Sequence, residues 1–339
     1  MNLKKVLKKN LKKGTYPPYL LRISDEGLSL IAHAKRFNER YIADPDFREL
    51  VKIDPLKAAE KYHIKINPED IRPLWALAAR EAYYQNKLHG SRLLKLCIEH
   101  DAALIGWSTR HKDGKTIKNS DFKFWREQQI LRNNSEIGES ANSRVVDAPV
   151  CFELSAGCTV GCWFCAISAD KFKGALPYTP EKKSLWEETL QVVKAITGTA
   201  AQGGFCYWAT DPFDNPDYEK FIKDYRSIIG GLPATNTAMS HKNLPRTKSL
   251  VQMWKNHGFT CNHLSILTVN ILNTIHNEFT AEELVWTNLN LVNKQSTVKK
   301  STAGRAREKI IKLAKNSNEY KEITTELDQG GTIACVSGF

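Results

Sequence analysis

A chain of 339 residues, 42% hydrophobic and 25% charged, has the length and composition of a soluble globular protein able to bury a core. Its formal charge of +12 favours acidic partners, whether nucleic acid, an anionic membrane surface or an acidic peptide, without choosing among them. No apolar run approaches the roughly 18 residues that span a bilayer, and the six Lys within the first 13 residues introduce no apolar core of a secretory signal.

After this Lys-rich arm and Tyr16-Pro17-Pro18-Tyr19, helical periodicity runs from Asp25 to Tyr41. Asp44-Pro45, Asp54-Pro55 and Asn67-Pro68 each place a capping side chain before a Pro, so each predicts a helix start. Leu74–Leu88 and Ser91–His100 add two more helical patterns, which makes residues 1–110 a small helical N-terminal domain. Ala103–Trp107 predicts a short strand and Lys112–Lys115 a turn. A helix over Phe122–Arg132 and a polar linker over Asn133–Arg144 complete the passage to residue 148.

From Pro149 strands alternate with helices, the pattern of parallel β/α units. The predicted strands are Val150–Leu154, Gly204–Trp208, Ala234–Met239, Thr260–Leu267, Val285–Val292 and Gly331–Val336. The predicted helices are Leu185–Thr197, Tyr218–Ile229, Thr247–His257, Ala281–Leu284 and Gly304–Lys315. This is an α/β class fold, a partial (β/α)6 barrel over residues 149–339, whose function gathers at the carboxyl ends of its strands. The chain stops at Phe339 directly after the sixth strand and without a closing helix, which reads as a truncation.

The first of these strands leads into Cys158-Thr159-Val160-Gly161-Cys162-Trp163-Phe164-Cys165, three thiols at C-x-x-x-C-x-x-C spacing. Thiolates select zinc, copper(I) or iron–sulfur clusters. A closed zinc site or an ordinary four-iron cluster takes four ligands, and this loop offers three. A zinc knuckle would need Cys151 as the fourth ligand. The other reading is a [4Fe–4S] cluster with one iron left open for the amino and carboxylate groups of S-adenosyl-L-methionine. Eight Cys with three crowded into one loop point to metal ligation, not to a disulfide framework, and hence to a reducing cytoplasm.

That spacing, with Phe164 before the third Cys, resembles the signature of the radical S-adenosylmethionine superfamily. The second strand ends at Tyr207-Trp208-Ala209-Thr210-Asp211-Pro212, where such proteins carry a Gly-Gly-Glu-Pro turn that receives the methionyl amino group. Ala209, Thr210 and Asp211 stand in those places, and a plain Asp-Pro turn is the alternative. Asn262 and Ser265 on the fourth strand are candidates for the cofactor ribose, against ordinary strand polarity.

The stretches Phe152–Cys165, Leu104–Trp107, Tyr207–Pro212, Ser301–Arg307 and Thr332–Phe339 together resemble the proteusin-type radical S-adenosylmethionine peptide epimerases. The resemblance implies an isomerase that turns L-residues of a ribosomally made peptide into D-residues, by Cα hydrogen abstraction and return of hydrogen from a thiol. It implies a precursor peptide with a leader and a flavodoxin- or ferredoxin-type electron donor as partners, with no membrane. The alternatives are another radical S-adenosylmethionine enzyme that modifies peptides and, from a different class, a non-enzymatic zinc protein that binds nucleic acid. The spread of Lys over helical faces disfavours the latter. Asp44–Trp75 is similar to nitrile-hydratase-type leader peptides, so this region either contacts a leader or is simply a helical cap. Candidate hydrogen donors are Cys206, Cys261 and Cys335. Cys335 is favoured by its place near the carboxyl end of the last strand, within a family-like segment.

Overall fold

Helix starts in the N-terminal third follow from their caps. The computed structural model of the chain describes residues 23–109, 116–142, 148–257, 262–298 and 303–314. Ser24 accepts the Gly27 N–H at 3.0 Å ahead of α1 (Asp25–Ala43). Asp44 ends α1 and opens α2 (Pro45–Ile53), accepting from the N–H groups of Asp46 and Phe47 at 3.1 and 3.3 Å. Pro45 occupies a first-turn position, where a missing N–H costs nothing. Asp54 repeats the device for α3 (Pro55–Lys61), accepting from Lys57 at 3.0 Å, and Asn67 caps a 3-10 turn over Pro68–Ile71.

Downstream the elements depart from expectation. The pattern over Leu74–Leu88 divides into α4 (Arg72–Trp75) and α5 (Leu77–Tyr84). The expected strand at Ala103–Trp107 is the last part of a helix, α6 (Arg92–Thr109). Leu93, Cys97 and Leu104 recur at helical spacing and are buried in one core, so the helical period prevails over a short apolar run. The turn expected over Lys112–Lys115 includes residues outside those described. The polar stretch from Asn133 is also helical, in α7 (Ser120–Ile137) and, after Gly138, α8 (Glu139–Asn142). Its amides serve the helix end: the Asn142 side chain donates to the Asn134 side chain and to the Ile130 carbonyl.

The described residues form two compact units. One combines the segment up to Ser108 with Ser240–Val298, and the other combines Thr109–Met239 with residues 303–314. In the second unit β1 (Ser155–Ala156) pairs antiparallel with β2 (Gly174–Ala175). Next come α9 (Pro180–Thr197), α10 (Tyr218–Ile229) and β3 (Thr235–Thr237). The expected first two strands appear as brief parallel pairings, Cys151 with Phe205 and Phe205 with Ala234. The Phe152 N–H donates to the Phe205 carbonyl at 2.9 Å, and the Phe205 N–H to the Val150 carbonyl at 3.3 Å. Helices α9 and α10 cover these segments with Trp186, Leu190, Phe221, Ile222 and Tyr225. Phe152 meets Trp186 edge-on at 4.7 Å, and the Trp186 indole N–H donates to the Phe221 carbonyl at 3.1 Å.

The chain then supplies the first unit with α11 (Leu244–His257), β4 (Asn262–Ile266), α12 (Val269–Glu278) and β5 (Asn288–Leu291). Strands β4 and β5 pair in parallel from His263 opposite Asn288 to Ile266 opposite Leu291. The crossover helix between them is α12, not the expected Ala281–Leu284, which forms turns. Thr268 caps α12 and Ile271, Leu272, Ile275 and His276 make its buried face. The Asn and Thr residues between them dilute its helical propensity in the sequence. Packed around Phe37, Phe47 and Trp286, this unit also buries charge. Arg40 donates to Asp44 at 3.1 Å and to Asn273 at 2.9 Å, its guanidinium 4.2 Å from the Tyr62 ring centroid. Glu39 pairs with Lys35 and, at 3.3 Å, with His276.

The chain returns to the second unit with α13 (Gly304–Ala314). The architecture is mixed α/β with short parallel pairings, and among the described residues no closed barrel forms. The sixth strand expected over Gly331–Val336 lies outside the described residues. No helix among the described residues is long and apolar enough to cross a membrane.

Candidate metal centre

The three-thiol loop is slung between β1 and β2, whose antiparallel pairing closes its base. Gly157 begins it with φ +75°, and a Cβ there would sit 2.2 Å from the Lys171 carbonyl oxygen. Only glycine tolerates both conditions, so the chain passes directly against Lys171 before turning outward. The Cys158 N–H donates to the Asp170 carbonyl at 2.9 Å. Beyond it the loop folds on itself, with Cys165 N–H to the Cys162 carbonyl at 3.2 Å and Ser168 N–H to the Cys165 carbonyl at 3.3 Å.

A carboxylate from the neighbouring turn holds the loop from the side. Asp214 accepts the Thr159 N–H on one oxygen at 2.9 Å and the Thr159 hydroxyl on the other at 2.6 Å. The two residues lie 55 positions apart, and no spacing rule in the sequence points to this pair. An acidic residue just beyond the Asp-Pro turn was the only available signal.

All three thiols are half-buried and unpaired by disulfides. The Ala169 N–H donates to the Cys165 sulfur at 3.4 Å. Burial pushes the Cys158 thiol up, against the pull of backbone N–H groups. Cys162 is pushed up to about 11, by burial first and then by the neighbouring Cys158 and Cys165. Among the described residues no group of three or more His, Cys, Asp or Glu is drawn together tightly enough to hold a metal ion as it stands. Three thiols in one short loop, Cys162 among them raised by its neighbours Cys158 and Cys165, nonetheless make a soft donor set. The donor set therefore fits a soft, cationic inorganic group.

The turn after the Phe205 pairing is strained and tied down. Ala209 takes φ +54°, a left-handed conformation that costs a non-glycine residue about 1–2 kcal/mol. Asp211, 4% exposed, accepts from the Thr237 hydroxyl and the Ala238 N–H, each at 2.7 Å, and from the Phe213 N–H at 2.9 Å. Burial pushes its carboxyl up to about 6 despite these three donors. Its carboxylate thus binds the turn to the end of β3. Thr210 is half-buried beside it.

The remaining candidates are dispersed. Phe164 stays within the loop, edge-on to Trp163 at 5.5 Å. Asn262 and Ser265 are buried on β4 of the first unit, and the Asn262 side-chain oxygen has no hydrogen-bond partner. Cys151 lies in the parallel pairing with Phe205. Cys206 is fully buried, and burial drives its thiol well above the ordinary value, as befits a core thiol. Cys261 and Cys335 lie outside the described residues.

No protein-family model matches the chain. No solved structure matches it. It is 37% identical over 340 residues to the uncharacterized protein y4wI of Sinorhizobium fredii (strain NBRC 101917 / NGR234). The alignment covers 97% of this chain and 65% of that protein, so the chain spans just under two thirds of the relative's length.

Proposed function

We propose that the chain is a radical S-adenosyl-L-methionine enzyme that epimerises residues of a ribosomally made peptide, built on a partial (β/α)6 barrel. The observation that carries this reading is the loop itself: three half-buried thiols at C-x-x-x-C-x-x-C spacing, unpaired by disulfides, in a loop whose base is closed by a strand pairing. In this reading Cys158, Cys162 and Cys165 hold a [4Fe–4S] cluster and leave one iron for the amino and carboxylate groups of the cofactor. When bound, the pair supplies the radical that removes hydrogen from a peptide Cα.

The protein's own residues do the rest. The Ala169 N–H bonds to the Cys165 sulfur, and Asp214 holds the loop through Thr159. Phe164 precedes the third ligand and packs edge-on against Trp163. The turn of Ala209 and Thr210 would hold the methionyl ammonium, with Asp211 fixing that turn. Cys335 returns hydrogen to the opposite face of the Cα radical: its S–H bond breaks as the new Cα–H bond forms. One electron and one proton then restore the thiol, with a flavodoxin- or ferredoxin-type protein as the electron source. A net charge of +12 suits an acidic leader on the precursor peptide.

The test is anaerobic turnover of a precursor peptide in deuterated water. Solvent deuterium should appear at each inverted Cα, because a thiol hydrogen exchanges with solvent. Cys335→Ala should cleave the cofactor and yield no D-residue. A peptide left unchanged while the cofactor is cleaved would reject the epimerase reading.

A further inference from the structure

A second element, distant in sequence, grips the thiol loop. Helix α13 begins against the backbone of residues 162–166. Its Arg305 N–H donates to the Cys165 carbonyl at 3.0 Å, and the Arg305 guanidinium Nη1 donates to the Cys162 carbonyl at 3.1 Å. Gly304, just before it, has φ +53°, and a Cβ there would lie 2.5 Å from both the Cys165 and the Ala166 carbonyl oxygens. One turn further on, the Lys309 ammonium sits 4.6 Å from the ring centroid of Trp163. Residues Gly304 to Lys309 therefore meet the loop at Cys162, Trp163, Cys165 and Ala166, the backbone that carries two of the three thiols.

We infer that Arg305 is a positioning residue for the metal-holding loop: its guanidinium fixes the Cys162 carbonyl, beside the main-chain bond that holds Cys165, in the metal-free chain and so presets the spacing of those thiols. The inference rests on the proposed function for its purpose, though not for its geometry. An unfixed loop must lose conformational freedom when it closes around a ligand, and a loop already held loses less. A guanidinium suits the task because its planar fork keeps its direction once bonded. The absent Cβ of Gly304 allows the close approach that makes both bonds possible.

Two readouts on the full chain test this. In the metal-free protein, Arg305→Ala removes the guanidinium bond to the Cys162 carbonyl but keeps the main-chain bond to Cys165, so amide hydrogen exchange should speed about tenfold at Cys165 and change less at Ser168. Exchange at Cys158 and Thr159, held by Asp170 and Asp214, should change little. After anaerobic reconstitution with iron and sulfide, the same variant should release iron to a chelator about tenfold faster, and Arg305→Lys should recover most of the difference. An unchanged global unfolding midpoint separates this from a general loss of structure. Should Arg305→Ala fail to fold, Arg305→Gln, which keeps an amide donor of shorter reach, carries the same comparison. Wild-type exchange and wild-type iron release in a folded variant would overturn the inference and leave the cluster reading intact. A wild-type chain that takes up no iron would overturn the cluster reading, while the exchange measurement still decides whether Arg305 holds the loop.

Discussion

The two units put buried polar groups to different uses. In the first, charge meets charge or a matching amide, along α1 and from α1 to α12: Arg40 with Asp44 and Asn273, Glu39 with Lys35 and His276. In the second, side chains bond to backbone and dictate the path of loops. Asp211 and Asp214 accept main-chain N–H groups, and the Asn215 amide donates to the Leu154 and Leu176 carbonyls at 2.9 and 3.1 Å. A buried ion pair is a packing joint, and removing one partner strands the other in a dry interior. A carboxylate on two loop donors adds little to global stability. It instead decides which loop conformation is populated.

The contrast breaks most severely at Arg40. Arg40→Ala leaves Asp44 buried without its cation, and Asp44 is 3% exposed. A cost of about 3–5 kcal/mol is expected, read by urea unfolding of the whole chain. A loss below about 1 kcal/mol would mean that solvent already screens the pair.

Acid should act on the same unit. Burial, outweighing the Glu39 hydrogen bond, pushes His276 down to about 4, with Arg36 and Arg40 adding to the fall. Burial works to raise Glu39, but Lys35 and His276 together hold it below its ordinary value. A histidine lowered on folding contributes stability that is present above its unfolded value of about 6.5 and is lost as pH falls through about 4, up to about 3 kcal/mol. The lowered Glu39 adds loss in the same direction. His276→Gln should flatten the pH dependence of unfolding between pH 7 and 4. Equal slopes in variant and wild type would remove His276 from the account.

The smallest global effect belongs to the second unit. Asp214→Asn keeps an acceptor for the Thr159 N–H and offers the Thr159 hydroxyl a donor in place of a carboxylate oxygen. The charge assistance of both bonds is lost, at a cost of about 1 kcal/mol. Unfolding should barely change, whereas the Thr159 amide should exchange severalfold faster. A large drop in global stability with unaltered Thr159 exchange would reverse the distinction between the units.

Local signals were the legible ones. Asp44, Asp54 and Asn67 announced their helices because a cap and its Pro act within a single turn. Helix α12 was not legible, since Asn and Thr residues mask a face that only burial reveals. The end of α6 read as a strand because four apolar residues in five conceal a helical period when taken alone. At the candidate site the thiol spacing stood out at once, while its supports did not. Asp214 acts on Thr159 from 55 positions away, and Arg305 on Cys162 from 143. Asp211 read as a free acceptor because nothing in the sequence brings Thr237 and Ala238 to it.

The central claim is that Cys158, Cys162 and Cys165 hold an iron–sulfur cluster, and the most direct measurement is iron, sulfide and visible absorption of the anaerobically reconstituted chain. The account predicts about four iron and four sulfide per chain, with a broad absorbance that bleaches on reduction, and loss of all three in the Cys158→Ala, Cys162→Ala, Cys165→Ala triple variant. Tetrahedral zinc without iron in the wild type, or unchanged iron in the triple variant, would contradict it.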